Sequence, residues 1–138
     1  MHETSREILI SDLNALLNVR RDNADMLVIT PRSTSNGLIV MVRSGSLQLF
    51  YAQAGWFDLE RVIRFWLCCL RKKLSPLFER WGAELMHRAA LGSDPARASD
   101  QIDAFFAAVY QMSGPFALDF IRQGWQPATP RVPSNGRL

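Results

Sequence analysis

Two histidines, His2 and His87, and two cysteines, Cys68 and Cys69, are the residues best suited to metal or nucleophilic chemistry in this 138-residue chain. Their spacing serves neither. Glu84 lies three residues before His87, a Glu-x-x-His spacing that binds metal in helical bundles only when a second copy or further ligands complete the site. The chain supplies no such complement, and His87 is expected at the surface of a helix. Cys68 and Cys69 are adjacent and lack the two-residue spacer of zinc or dithiol motifs. Neighbouring cysteines cannot close an ordinary loop disulfide. They read as small apolar fillers in a reducing compartment, which points to a cytoplasmic protein.

Other chemistry is equally sparse. The chain contains no phosphate-binding glycine loop, no dinucleotide fingerprint and no nucleophile elbow. Ser44-Gly45-Ser46 reads as a turn. Asp100 and Asp103 suit the start of a helix, where negative charge favours the dipole. No catalytic, cofactor-binding or metal-ligating residue is therefore assigned, and the chain is expected not to be an enzyme.

Two features point to binding instead. Trp56 and Phe57 sit side by side between two predicted elements, and Trp125 sits where the last element meets the tail. Trp, together with Arg, is enriched among interface anchors. Trp66, Trp81 and Phe78 are expected on central helices, with Trp66 and Trp81 in the core. The second feature is basic: Arg61, Arg64, Arg71, Lys72 and Lys73 lie on one predicted helix, and Arg61, Arg64 and Lys72 cluster on a similar side. Such a stripe could follow phosphates, or be a solvated face with cations favouring the helix C-terminus. Trp56, Phe57, Arg61, Arg64, Lys72 and Trp125 are the partner-binding candidates.

The elements that must position these residues follow from the apolar pattern. Thr4 and Glu7 have capping-box spacing before Ile8, Leu9, Leu13, Leu16 and Leu17, which predicts a helix to about Val19. Arg20 and Arg21 suit its C-terminal end, and Asp22 to Ala24 reads as a loop. Met26 to Ile29, Leu38 to Val42 and Ser46 to Tyr51 are short apolar or alternating runs separated by turn residues, a three-stranded antiparallel meander. From Asp58, a plausible N-cap, Leu59, Val62, Ile63, Trp66, Leu67 and Leu70 recur at helical spacing and are expected to face the core. Pro76 opens a further predicted helix carrying Leu77, Phe78, Trp81 and Leu85 up to Gly92. Asp94-Pro95 starts another, with Ile102, Phe105, Phe106, Val109 and Met112. A last short helix holds Phe116, Leu118, Phe120 and Ile121, and Gly124 closes it.

The fold class is thus α+β: an N-terminal helix, a three-stranded antiparallel meander, then three or four helices packed on the sheet. Residues 1–125 form one domain, of a size that needs no disulfide or metal to hold it. Residues 126–138, with Pro127, Pro130 and Pro133, read as a flexible tail. The helix-plus-sheet chaperones of bacterial secretion systems are a loose architectural comparison. The chain is basic and shows too few strands for that pattern, so no family is assigned.

Composition fits this reading. The chain is 48% hydrophobic with 16 basic and 13 acidic residues, typical of a globular protein. No signal peptide is visible, and the most apolar run, Val62 to Leu70, is far too short to span a bilayer. The expected function is a non-catalytic regulator or adaptor. It binds, and sequesters or inhibits, another protein, acting as a homodimer. The alternative is a small nucleic-acid-binding regulator that uses the Arg61–Lys73 stripe.

Overall fold

The computed structural model describes residues 1–18 and 25–125. The expected end of the first helix at Val19, its terminal Arg20 and Arg21, the loop at 22–24 and the tail at 126–138 lie outside these residues.

The chain is α+β, but its sheet is twice the size that the sequence pattern predicts. The elements run α1 (Glu3–Asn18), β1 (Met26–Pro31), β2 (Leu38–Arg43), β3 (Ser46–Ala52), a 3-10 turn (Trp56–Asp58), α2 (Leu59–Arg71), β4 (Leu77–Trp81), β5 (Glu84–Gly92), α3 (Pro95–Val109) and β6 (Leu118–Gln123). The six strands form one antiparallel sheet in the order β4-β5-β3-β2-β1-β6. The expected meander is present as β1-β2-β3.

Two predicted helices are strands. Residues 77–92 form the hairpin β4-β5, because Gly82, at a positive φ of 63°, opens a two-residue loop between Trp81 and Glu84. A glycine at that position is what a tight antiparallel hairpin requires. Phe78 and Trp81 mimic helical spacing by coincidence; on the strand they face opposite sides of the sheet. Residues 118–123 form β6, pairing with β1 from Met26↔Gln123 to Pro31↔Leu118. Among the described residues, two α-helices and a 3-10 turn follow the meander instead of three or four helices.

The helix starts are partly as expected. Asp94 caps α3, its carboxylate accepting from the backbone N–H of Ala96 and Arg97, with Pro95 in the first turn. Asp58 makes no such side-chain cap. Helix α1 begins at Glu3, so Thr4 lies inside the helix and does not cap it.

All three helices contribute to the core on one face of the sheet. Leu9, Leu13 and Leu16 of α1, Phe65, Cys68 and Cys69 of α2, and Ile102, Phe105, Phe106 and Val109 of α3 pack on alternate residues of the strands, among them Leu27, Val40, Leu49, Tyr51 and Ala89. The opposite face carries Met41, Phe50 and Met86, with Ile39, Ala52 and Trp81 around them. Arg43, Glu79 and Arg88 lie on that face too: Arg43 makes two 2.7 Å bonds to the Glu79 carboxylate, and Arg88 Nε sits 3.0 Å from it. Among the described residues no helix is long and apolar enough to cross a membrane.

Candidate functional site

Helix α2 turns a different face to the core from the one its apolar spacing predicts. The buried side is Phe65, Cys68 and Cys69, with Val62 and Trp66 half-buried at its margin. Leu59, Ile63, Leu67 and Leu70 are 48–62% exposed. Two rows of apolar residues compete for the core on this helix. The row holding the large Phe65 ring wins, because that ring fills the space between Tyr51 and Phe105 at centroid distances of 6.1 and 4.9 Å.

The exposed row belongs to a larger surface. Ten large hydrophobic side chains stand exposed among the described residues, and eight of them fall between Trp56 and Phe78. They are Trp56, Phe57, the four α2 residues, and Leu77 and Phe78 of β4; of these, Leu77 faces the other side of the sheet, with Glu79 and Trp81. An apolar cluster of this kind marks an interaction surface, whereas scattered single residues do not.

Trp56 and Phe57, at 90% and 79%, are the most exposed of all. The turn that carries them is tightly held. The Asp58 carboxylate turns away from its helix, accepting from Tyr51 Oη and, at 2.9 Å, from the Ala54 N–H. Gln53 Nε2 donates to the Gly55 carbonyl at 3.0 Å. Gly55 has φ 142°, a conformation that a side chain would strain. Beside Trp56 a shallow concavity of about 330 Å3 is lined by Gln53, Gly55, Arg80, Ala83 and Leu85. Arg80 is exposed and makes no ion pair with the described residues.

His87 sits behind this surface and is not a surface histidine: it is 7% exposed. Trp66 Nε1 donates to His87 Nδ1 at 2.9 Å. An indole N–H only donates, so Nδ1 is the acceptor and Nε2 carries the proton. That proton goes to Gln53 Oε1 at 2.8 Å. The imidazole therefore ties α2 to β5 and to the Trp56 turn. Burial pushes its pKa below the usual value, with the Asp58 charge opposing. Protonation would place a second donor against the Trp66 N–H. The folded state thus holds His87 neutral while the unfolded chain takes up a proton below about pH 6.5. Stability is expected to be flat above that pH and to fall below it. Urea midpoints from pH 8 to 5 should show this fall in the wild type and lose most of it in His87→Gln, whose amide keeps both hydrogen-bond roles.

Glu84 does not join His87 in a metal pair, because residues three apart on a strand face opposite sides. Among the described residues no three His, Cys, Asp or Glu side chains gather where one metal ion would reach them. Both cysteines are buried, and burial raises both thiols, Cys69 to about 12. Asp100 pairs with Arg6 of α1, and Asp103 with the Met1 amino group just ahead of that helix.

The basic stripe is divided by the structure. Arg61 lies over the Tyr110 ring at 4.9 Å. Arg64 is bound to Glu60 and reaches the Val109 carbonyl. Lys72 is exposed, together with Arg71 and Lys73, at the end of α2. Trp125 is half-buried at the far edge of the sheet, with Arg122 5.9 Å from its ring, well away from the Trp56 surface in the strand order. Of the candidates, Trp56 and Phe57 stand together on one turn; Arg61 and Arg64 are drawn towards Tyr110 and Val109, Lys72 lies at the opposite end of α2, and Trp125 stands apart. Sequence reasoning missed Leu59, Ile63, Leu67, Leu70 and Phe78 as surface residues. The signal was present in α2 as two apolar rows where a core helix needs one. The chain matches no protein-family model, and no curated protein or solved structure matches it.

Proposed function

We propose that this chain is a non-catalytic regulator or adaptor. It binds, and sequesters or inhibits, another protein, and it works as a homodimer. One observation carries the reading: seven large apolar side chains stand exposed on the Trp56 turn, the outer side of α2 and, at Phe78, the helix-side face of β4. Trp56 and Phe57 serve as anchors for the partner. They are held out by the Tyr51–Asp58 and Gln53–Gly55 bonds before any partner arrives, so little freedom is lost on binding. Arg80, exposed beside Trp56 and without an ion pair among the described residues, adds a cation, and Trp-plus-Arg is the composition of an energetic hot spot. The titratable residues that chemistry would recruit are already engaged: His87 between Trp66 and Gln53, Asp100 and Asp103 in ion pairs. Two buried free thiols support a reducing, cytoplasmic setting.

The test is recovery of a stoichiometric protein partner on the tagged full chain after nuclease treatment, followed by titration of that partner. Trp56→Ala is expected to weaken binding about 30-fold or more, the loss of one hot-spot residue. Circular dichroism should stay unchanged, since Trp56 contributes little to the core. Unaltered affinity in both Trp56→Ala and Phe57→Ala would remove the anchors from the reading. The nucleic-acid alternative rests on the exposed Arg71, Lys72 and Lys73. It requires binding whose affinity drops steeply with salt, and no binding at low salt eliminates it.

A further inference from the structure

We infer that the outer ridge of α2 is the self-association surface, and that its occupant is the α2 helix of a second copy lying antiparallel to it. The inference rests on the homodimer in the proposed function and assigns the geometry of that dimer.

The first argument is symmetry. At about 100° per residue, Leu59, Ile63, Leu67 and Leu70 fall within an arc of about 80°. All four are exposed, while Phe65, Cys68 and Cys69 hold the opposite side in the core. The ridge reads nearly the same in both directions. An antiparallel pair centred on its middle sets Leu59 against Leu70 of the second copy and Ile63 against Leu67 of the second copy, each twice. A two-fold interface needs this self-complementarity.

The second argument is charge. Helix α2 is acidic at its start, with Asp58 and Glu60, and basic at its end, with Arg71, Lys72 and Lys73. Parallel pairing would set like charges together. Antiparallel pairing sets each acidic start against a basic end and opposes the two helix dipoles favourably. Glu60 and Arg71 also share one flank of the ridge, about 20° apart around the helix. A two-fold axis across an antiparallel pair brings the same flank of both copies together, so Glu60 of each copy meets Arg71 of the other. Glu60 is 77% exposed and its bond to Arg64 leaves it on the surface. The other flank carries Trp66, next to Phe78 through their shared neighbour His87. There Phe78, 61% exposed, extends the apolar contact from one copy to the other. Trp56 and Phe57 stay at the ends of the pair, available to a different protein.

The experiment is sedimentation equilibrium on the full chain, wild type against Glu60→Lys, Arg71→Glu and Ile63→Asp, with circular dichroism to verify each fold. Wild type is expected to be a dimer. Each charge reversal creates two repulsive pairs in its own homodimer and should weaken it about tenfold or more. Mixed in equal amounts, Glu60→Lys and Arg71→Glu restore both attractive pairs, so a mixed dimer forms where neither variant pairs well alone. A folded Ile63→Asp should be monomeric. A wild-type dimer that persists unchanged in all three variants overturns the α2 geometry and leaves the homodimer intact. A monomeric wild type overturns the inference and the homodimer together, while binding of another protein at Trp56 is judged separately by its own titration.

Discussion

Phe65→Ala should destabilise the protein by about 3–5 kcal/mol, the cost of emptying a large aromatic site in a core. The ring is fully buried and meets Tyr51, Phe105 and His87. It links the helix layer to the sheet, so its loss also loosens the seat of α2. Ile63→Ala and Leu67→Ala, on the other side of the same helix, are expected to change stability by about 0.5 kcal/mol or less. Urea unfolding at pH 7 measures all three, at dilutions where the midpoint no longer depends on concentration. The contrast matters more than either value. A cost at Ile63 equal to that at Phe65 would mean that the outer ridge is core and not surface.

The second large effect is expected at Glu79. Its carboxylate receives both Arg43 nitrogens, lies 3.0 Å from Arg88 Nε, and accepts from Trp81 Nε1 at 2.6 Å. The Arg43 bonds are the main cause that lowers its pKa to about 2, against burial, which opposes. A carboxyl group with a depressed folded pKa stabilises the fold above its unfolded value, near 4.5, and loses that contribution as pH falls towards 2. Glu79→Gln should therefore cost about 2 kcal/mol at pH 7, less than the full shift implies because the group is partly solvated and screened. Denaturation from pH 7 to 3.5 should show a constant gap to wild type above pH 5 and a narrowing gap below it. A gap that ignores pH would assign the effect to packing.

Much of the fold was legible because local chemistry and final structure agree there. The meander from Met26 to Ala52 and the Asp94-Pro95 start of α3 are set by turn residues, alternation and a cap. The two misread segments fail for one reason. Between Pro76 and Gly92, and again from Phe116 to Gly124, the apolar residues fit periods of both 2 and 3.6, and the pairing partner decides. Strand β5 joins β3, and β6 joins β1, across long separations in the chain. No window of sequence contains both halves of such a pair. The candidate site was legible by composition, in Trp56 and Phe57, but not in extent. The exposure of Leu59, Ile63, Leu67 and Leu70 follows from which row of α2 the Phe65 ring claims, and that is settled only when Tyr51 and Phe105 are in place.

The place of β6 has a consequence for how the chain reaches this state. Strand β1 is complete by residue 31 and β2 pairs with one of its edges at once, yet the strand that pairs with the other begins only at Leu118. Closing that contact early is entropically costly, and contacts of such long range form slowly. During synthesis the N-terminal meander emerges first, with the backbone edge of β1 unmatched until almost the whole described chain has left the ribosome. An open edge in that interval is a template for the wrong strand. The last described strand thus takes the edge over from β1, and until β6 arrives the nascent chain exposes the β1 edge to misassembly.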